Sequence, residues 1–201
     1  AAQDDSPGHG AQAADAGDAA SLDLIADKLL KSKRPLLWTG NGAKFARGAV
    51  QRFIAMGIPL ITSGLGRGVV PETDPMVLGA FNAVPRIEAY YKTVDCMLVA
   101  GSRIRAQETR DMSVELPANR IHIDIDPAAN GRTYSSALFH VGDAEAALNA
   151  LADRIEGKLA TSQAYRDEIV QLKKDVHADY KKTLGVYADF SDQLRKAMPD
   201  D

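Results

Sequence analysis

Cysteine is almost absent from this chain of 201 residues. Cys96 stands alone, which excludes an intramolecular disulfide and any zinc site built from several thiolates. Blocks of one charge are missing as well. The net charge of -3 comes from interspersed signs, so there is no basic stripe to neutralise phosphates and nucleic acid is not an expected partner. No apolar run reaches the roughly 20 residues needed to cross a bilayer. The first twenty residues lack the basic segment and apolar core of a secretory signal. These absences argue against membrane and exported classes and make the cytoplasm the expected compartment.

Catalytic groupings are also scarce. Of the four histidines, His9 lies in a polar leader, His177 on a C-terminal amphipathic stretch, and His122 and His140 inside expected strands, where a structural role is the simpler reading. Ser63 and Ser102 sit in glycine-flanked turns without the nucleophile-elbow pattern. Cys96 opens an apolar strand and reads as a buried, inert thiol. No catalytic constellation is expected.

What the chain does contain is an alternation of short apolar runs with helical periodicity. The sharpest run is Arg120 to Pro127, RIHIDIDP, which alternates isoleucine with polar residues and stops at two aspartates and a proline. It reads as a buried strand delivering acidic side chains to one edge of a sheet. Ala1 to Ala20, without leucine, isoleucine, valine or aromatics, reads as a flexible linker. Ser21 looks like an N-cap for a helix whose apolar face is Leu22, Ile25, Leu29 and Leu30. Next come a strand Pro35 to Thr39, a helix carrying Ala46, Val50, Phe53 and Ile54, and a strand Pro59 to Thr62. An irregular stretch from about Val69 to Ala83 follows. A helix from Pro85 to Val94, a strand Cys96 to Ala100, the Ile121 to Ile125 strand, a short sixth strand near Phe139 to Val141 and a helix from Ala144 to Ile155 complete the pattern.

This alternation predicts an α/β fold: a doubly wound, mainly parallel six-stranded sheet with helices on both faces, of Rossmann-like type, with a C-terminal helical extension. The expected organisation is a linker over 1–20, a central nucleotide-fold domain over 21–157 and a helical connector over 158–201. In the connector, Tyr165, Ile169, Leu172, Val176 and Tyr180 form one apolar stripe, free to pack on this domain or on another. A last helical piece, Phe190 to Met198, precedes Pro199, Asp200 and Asp201, where the chain reads as cut from a longer one.

Each assignable strand ends in glycine or acid: Gly40 and Gly42, Gly64, Gly101, Asp124 and Asp126, Gly142 and Asp143. Glycine allows a phosphate-bearing ligand close to the backbone, and a carboxylate accepts hydrogen bonds from ribose hydroxyls, so the pattern outlines a nucleotide crevice. Turning the chain and capping the next helix explain any single member equally well. The run from Gly40 to Phe45 is not a complete dinucleotide fingerprint. Phe45 holds the third glycine position and no acid ends the next strand, which disfavours a conventional NAD dehydrogenase. Arg103 and Arg105 follow a strand-end glycine, within reach of a pyrophosphate.

Five motifs then stand in order: RPLLWTGNGA from Arg34, PLITSGLGRGVVPETDP from Pro59 with a later Gly79, VDCMLVAGSR from Val94, RIHIDIDPA from Arg120 and HVGDAEAALNAL from His140. Together, over about Ser21 to Ile155, they resemble the central domain of thiamine diphosphate-dependent enzymes of the acetolactate synthase, oxalyl-CoA decarboxylase and benzoylformate decarboxylase type. QLRKAMPDD from Gln193 is similar to the start of that family's third domain. The resemblance implies a parent lyase, decarboxylase or transferase acting on a 2-keto acid or acyl-CoA. Thiamine diphosphate and Mg2+ would be held by flanking pyrimidine- and diphosphate-binding domains rather than by this one, in a homo-oligomer. Some members carry ADP or FAD in the central domain and others carry nothing.

The ligand positions implied by the resemblance are Gly40, Asn41, Gly42, Thr62, Ser63, Gly79, Arg103, Asp124, Ile125, Asp126, Gly142 and Asp143, with no catalytic and no metal residue. Two departures weigh against FAD. Ile104-Arg105-Ala106 replaces the aromatic and two acids usual in FAD-carrying synthases, and their glycine-rich segment is reduced to Gly79-Ala80-Phe81-Asn82. An alternative is a stand-alone nucleotide- or FAD-binding module of the electron-transferring flavoprotein type. A sirtuin-like deacylase shares the broad architecture, but its four-cysteine zinc site is incompatible with one cysteine.

Overall fold

A computed structural model describes residues 15–198. Six strands form one sheet: β1 (Pro35–Thr39), β2 (Leu60–Thr62), β3 (Val77–Gly79), β4 (Cys96–Ala100), β5 (Arg120–Asp124) and β6 (Leu138–Val141). Their order is β3-β2-β1-β4-β5-β6 and every neighbouring pair is parallel. The chain therefore winds outward from β1 to one edge, returns, and winds outward from β4 to the other. Where the direction reverses, between β1 and β4, the connections leave a gap at the strands' carboxyl ends.

The strands are apolar on both faces because helices cover both. One face packs α1 (Ala19–Lys31), α2 (Arg47–Ala55) and α4 (Ala144–Ile155) against Leu37, Leu60, Val77, Leu98, Ile121 and Ile123. The other packs α3 (Pro85–Tyr91) and α5 (Gln163–Leu184) against Leu36, Trp38, Ile61, Leu78, Met97 and Val99. The alternation of partners along each strand is the two-residue period of the pleat.

Several boundaries differ from the sequence expectation for definable reasons. Helix α1 starts at Ala19 because the Asp18 carboxylate accepts from Ser21 N–H at 2.8 Å, so Asp18, not Ser21, is the N-cap. Of the expected linker, residues 1–14 lie outside the described residues. Asp15 and Ala16 are docked on β6: the Asp15 carbonyl accepts from Asp143 N–H at 2.8 Å, and the Ala16 carbonyl lies 2.6 Å from His140 Nε2. The stretch read as irregular contains β3, a three-residue edge strand, which makes the Phe139 region the sixth strand in chain order. Strand β5 ends at Asp124, leaving Ile125 outside the ladder.

Helix α5 packs on this domain. Tyr165, Ile169 and Val176 are buried in the second core, each worth about 1.5–3 kcal/mol if fully removed from water. Tyr165 Oη donates to the Pro35 carbonyl at 2.8 Å and meets Tyr90 Oη at 2.6 Å, while the Arg34 guanidinium stacks on the Tyr165 ring and grips Glu168 with two hydrogen bonds of 2.8 and 2.6 Å. Helix α6 (Phe190–Ala197) follows, with Phe190 and Leu194 exposed. No helix among the described residues is long and apolar enough to cross a membrane.

Candidate functional site

A cleft of about 730 Å³ opens at the carboxyl ends of β1, β2, β4 and β5, over the reversal point of the sheet. Its walls include Asn41 and Gly42 after β1, Ser63 to Leu65 after β2, Gly101 to Arg103 with Arg105 after β4, Asp124 and Ile125 at the end of β5, and Asp143 at the start of α4. Of the twelve positions expected from sequence, the fold brings seven to this cleft: Asn41, Gly42, Ser63, Arg103, Asp124, Ile125 and Asp143.

The other five are placed otherwise. Gly40 lies beneath the wall, where a Cβ would fall 2.4 Å from the Gly101 carbonyl oxygen. Thr62 is buried with its hydroxyl unpartnered among the described residues. Gly79 ends the edge strand beside Phe81 and Glu72, away from the cleft. Asp126 caps the turn Pro127–Ala129 and stands 3.6 Å from Arg103. Gly142 is covered by Ala16, whose carbonyl oxygen would be 2.6 Å from an added Cβ.

The strand-end glycines serve the chain before they serve a ligand. Gly40 N–H donates to the Ala100 carbonyl at 3.0 Å and Gly42 N–H to the Gly101 carbonyl at 2.9 Å. The β1 and β4 turns thus lie backbone on backbone, with no room for a side chain between them. Acid residues behave similarly: Asp143 accepts from Ala146 N–H at 2.9 Å as the N-cap of α4, and Asp124 Oδ1 accepts from Asp126 N–H at 2.9 Å. The second Asp124 oxygen stands 3.9 Å from buried His122 Nε2, which has no hydrogen-bond partner among the described residues. Burial lowers the His122 pKa, only partly opposed by Asp124 and by its hydrogen bond to the Ser102 backbone, so the ring is neutral at neutral pH.

Sequence reasoning placed Gly64 and Gly101 among the strand-end residues of the crevice and weighed Arg105, without including any of the three in the implied ligand set; it missed Leu65, Ser102, Gln107, Glu108 and Ala144 as lining residues. Ser102 adjoins an expected position. Glu108 had no signal, because the polar loop after Arg105 has no periodicity. Outside the cleft, burial pushes the Cys96 thiol up to about 11, consistent with an inert core residue. Among the described residues no three histidine, cysteine or acidic side chains cluster to hold a metal ion.

A six-stranded parallel sheet wound in two halves, with a cleft over its reversal point, defines a doubly wound α/β domain. Residues 22–151 match the family model described as thiamine pyrophosphate enzyme, central domain, and the chain belongs to that family. It is 27% identical to the probable 2-ketoarginine decarboxylase AruI of Pseudomonas aeruginosa over 97% of this chain and 34% of that protein. It is 30% identical to the probable acetolactate synthase large subunit of Methanocaldococcus jannaschii over 79% of this chain and 28% of that protein. Acetolactate synthase 1 of Zea mays is 27% identical over 75% of this chain and 25% of its own length. The chain thus spans about a third or less of these relatives.

Proposed function

We propose that this chain is the non-catalytic central domain of a thiamine diphosphate-dependent lyase, decarboxylase or transferase acting on a 2-keto acid or acyl-CoA, and that its crevice takes an adenine nucleotide, ADP or FAD. The observation that carries the nucleotide reading is the position and make-up of the cleft. It lies over the sheet's reversal point, with Arg103 and Arg105 after β4 and Asp124 and Asp143 also on its walls. Arginine forks suit phosphate oxygens and carboxylates suit ribose hydroxyls. The parent chain would supply flanking pyrimidine- and diphosphate-binding domains, which hold thiamine diphosphate and Mg2+ and carry the chemistry.

Support for such neighbours comes from the segment after α5, where Val186, Tyr187, Phe190 and Leu194 are each exposed. The cytoplasm is the compartment we assign, on the single reduced cysteine, and a homo-oligomer is the state we assign to the intact parent. Calorimetric titration of the chain with ADP, FAD, CoA and NAD tests the crevice. Saturable heat with ADP or FAD is the expected result, and the absence of saturable heat or a melting shift with all four overturns it.

A further inference from the structure

Glu108 enters the cleft from an unexpected quarter. Its Oε1 accepts from Gly64 N–H at 3.0 Å across 44 residues of sequence, and its Oε2 accepts from Arg105 N–H at 3.3 Å. Space around Gly64 is open on the cleft side, since a Cβ built there meets nothing within 4 Å. The Gly64 amide, on the cleft wall, is already held by a carboxylate. Among the described residues no cation pairs with Glu108, and Arg103 leans toward Asp126. Arg103 and Arg105 are set against Glu108, Asp124 and Asp143 on the walls, so the cleft is more acidic than basic.

The loop that presents Glu108 is held under strain. Ile104 has φ of +44° with its side chain buried in the core, and Arg110, Asp111 and Met112 all have positive φ, at 45°, 52° and 65°. A β-branched residue in the left-handed region costs of the order of 1–3 kcal/mol and persists only where its surroundings over-determine it. Here the Ile104 amide is tied to Ser102 Oγ at 3.3 Å and its side chain is anchored among Val99, Val114 and Leu116. Burying Ile104 leaves Arg103 and Arg105 exposed on either side of it, facing the cleft that Glu108 also lines.

We propose that Glu108 is a specificity-determining residue of the crevice, a resident anion that opposes a ligand's phosphates and shifts the site's preference toward the weakly charged adenosine end of the nucleotide. The proposal rests on the nucleotide reading above. A carboxylate a few ångströms from a phosphate in a half-wet site changes affinity by about tenfold, and it leaves an uncharged nucleoside unaffected.

Calorimetry on the full chain with adenosine and with ADP tests it. Glu108→Gln keeps an acceptor for Gly64 N–H and removes the charge, together with the longer 3.3 Å hydrogen bond from Arg105 N–H. We expect ADP to bind this variant about tenfold tighter than wild type while adenosine changes less than about twofold. Equal ADP affinity in the two proteins, or an equal gain for adenosine, overturns the proposal and leaves the nucleotide reading intact. Saturable binding of neither ligand to either protein removes the nucleotide reading and the proposal with it. The wild type alone gives a reading that needs no variant: adenosine and ADP bind within about threefold of each other, and ADP binding about a hundredfold tighter also overturns the proposal.

Discussion

Gly42 and Gly101 meet backbone to backbone. Gly42 N–H donates to the Gly101 carbonyl at 2.9 Å, and a Cβ on Gly101 would lie 2.7 Å from Gly42 Cα. Gly101 also has φ of +59°, which a residue with a Cβ adopts at a cost. The contact seals the floor of the cleft where β1 and β4 diverge, and it explains two strand-end glycines without any ligand.

Gly101→Ala is therefore expected to combine left-handed strain with a clash that neither turn can relieve. The loss of stability should be about 2 kcal/mol or more, read as a lower midpoint in chemical denaturation. Gly64→Ala, with open space at its Cβ, is the control and should change the midpoint little. Equal losses at the two positions would contradict this account.

Much of the architecture was legible because apolar runs buried on both sides leave an unmistakable mark. Leu36 to Trp38, Met97 to Val99 and Ile121 to Ile123 all signal strands by their apolar runs alone. Strand β3 was not legible, since Val77 to Gly79 is short, follows Pro71 and Pro75, and lies on the sheet edge. The stripe on α5 could be seen but its destination could not, because Tyr165 finds Tyr90 and Pro35 only through the tertiary fold. In the site, residues at strand ends were found by the rule that ligands sit there. Glu108 was missed because its role depends on a contact across two turns distant in sequence.

His122 supplies a pH dependence. Burial holds its pKa below the ordinary imidazole value of about 6.5, so the unfolded chain binds the proton more readily than the folded one. The stabilising contribution of the neutral ring is complete above about pH 6.5 and declines as the pH falls from there toward the lowered folded value. Denaturation midpoints measured from about pH 7.5 to 5 should fall in the wild type. His122→Phe, which retains an aromatic ring beside Phe139, should flatten that part of the profile. An unchanged slope in the variant would assign the dependence to another group.

Tyr165 fastens α5 to the start of β1. Removing its hydroxyl leaves the Pro35 carbonyl without that donor and the buried Tyr90 hydroxyl without its 2.6 Å partner. Tyr165→Phe should cost about 1–3 kcal/mol, the usual consequence of stranding buried polar groups. It should also raise hydrogen exchange along α5 more than along α4, because only α5 loses a tether. Uniform exchange changes in the two helices would show that the hydroxyl acts on global stability alone.

Arg120 opens β5 with a guanidinium that is nearly inaccessible to solvent. It donates to the carbonyls of Leu116, Pro117 and Ser135 and lies over the Tyr134 ring, 5.3 Å from its centroid. Those carbonyls belong to the segments entering β5 and approaching β6, so one side chain joins the two connections that bring Asp124 and Asp143 to the cleft. Burial lowers its pKa, but arginine remains charged at any pH the fold tolerates, which makes the site intolerant of replacement. Arg120→Met preserves the aliphatic stem and removes every donor, leaving three carbonyls to find other partners. We expect a loss of about 2–4 kcal/mol. Arg120→Lys should recover only part of it, because an ammonium lacks the planar fork that spans the Ser135 carbonyl and the Leu116–Pro117 pair. A lysine variant as stable as the wild type would mean that charge alone, and not the geometry of the fork, holds these segments in place.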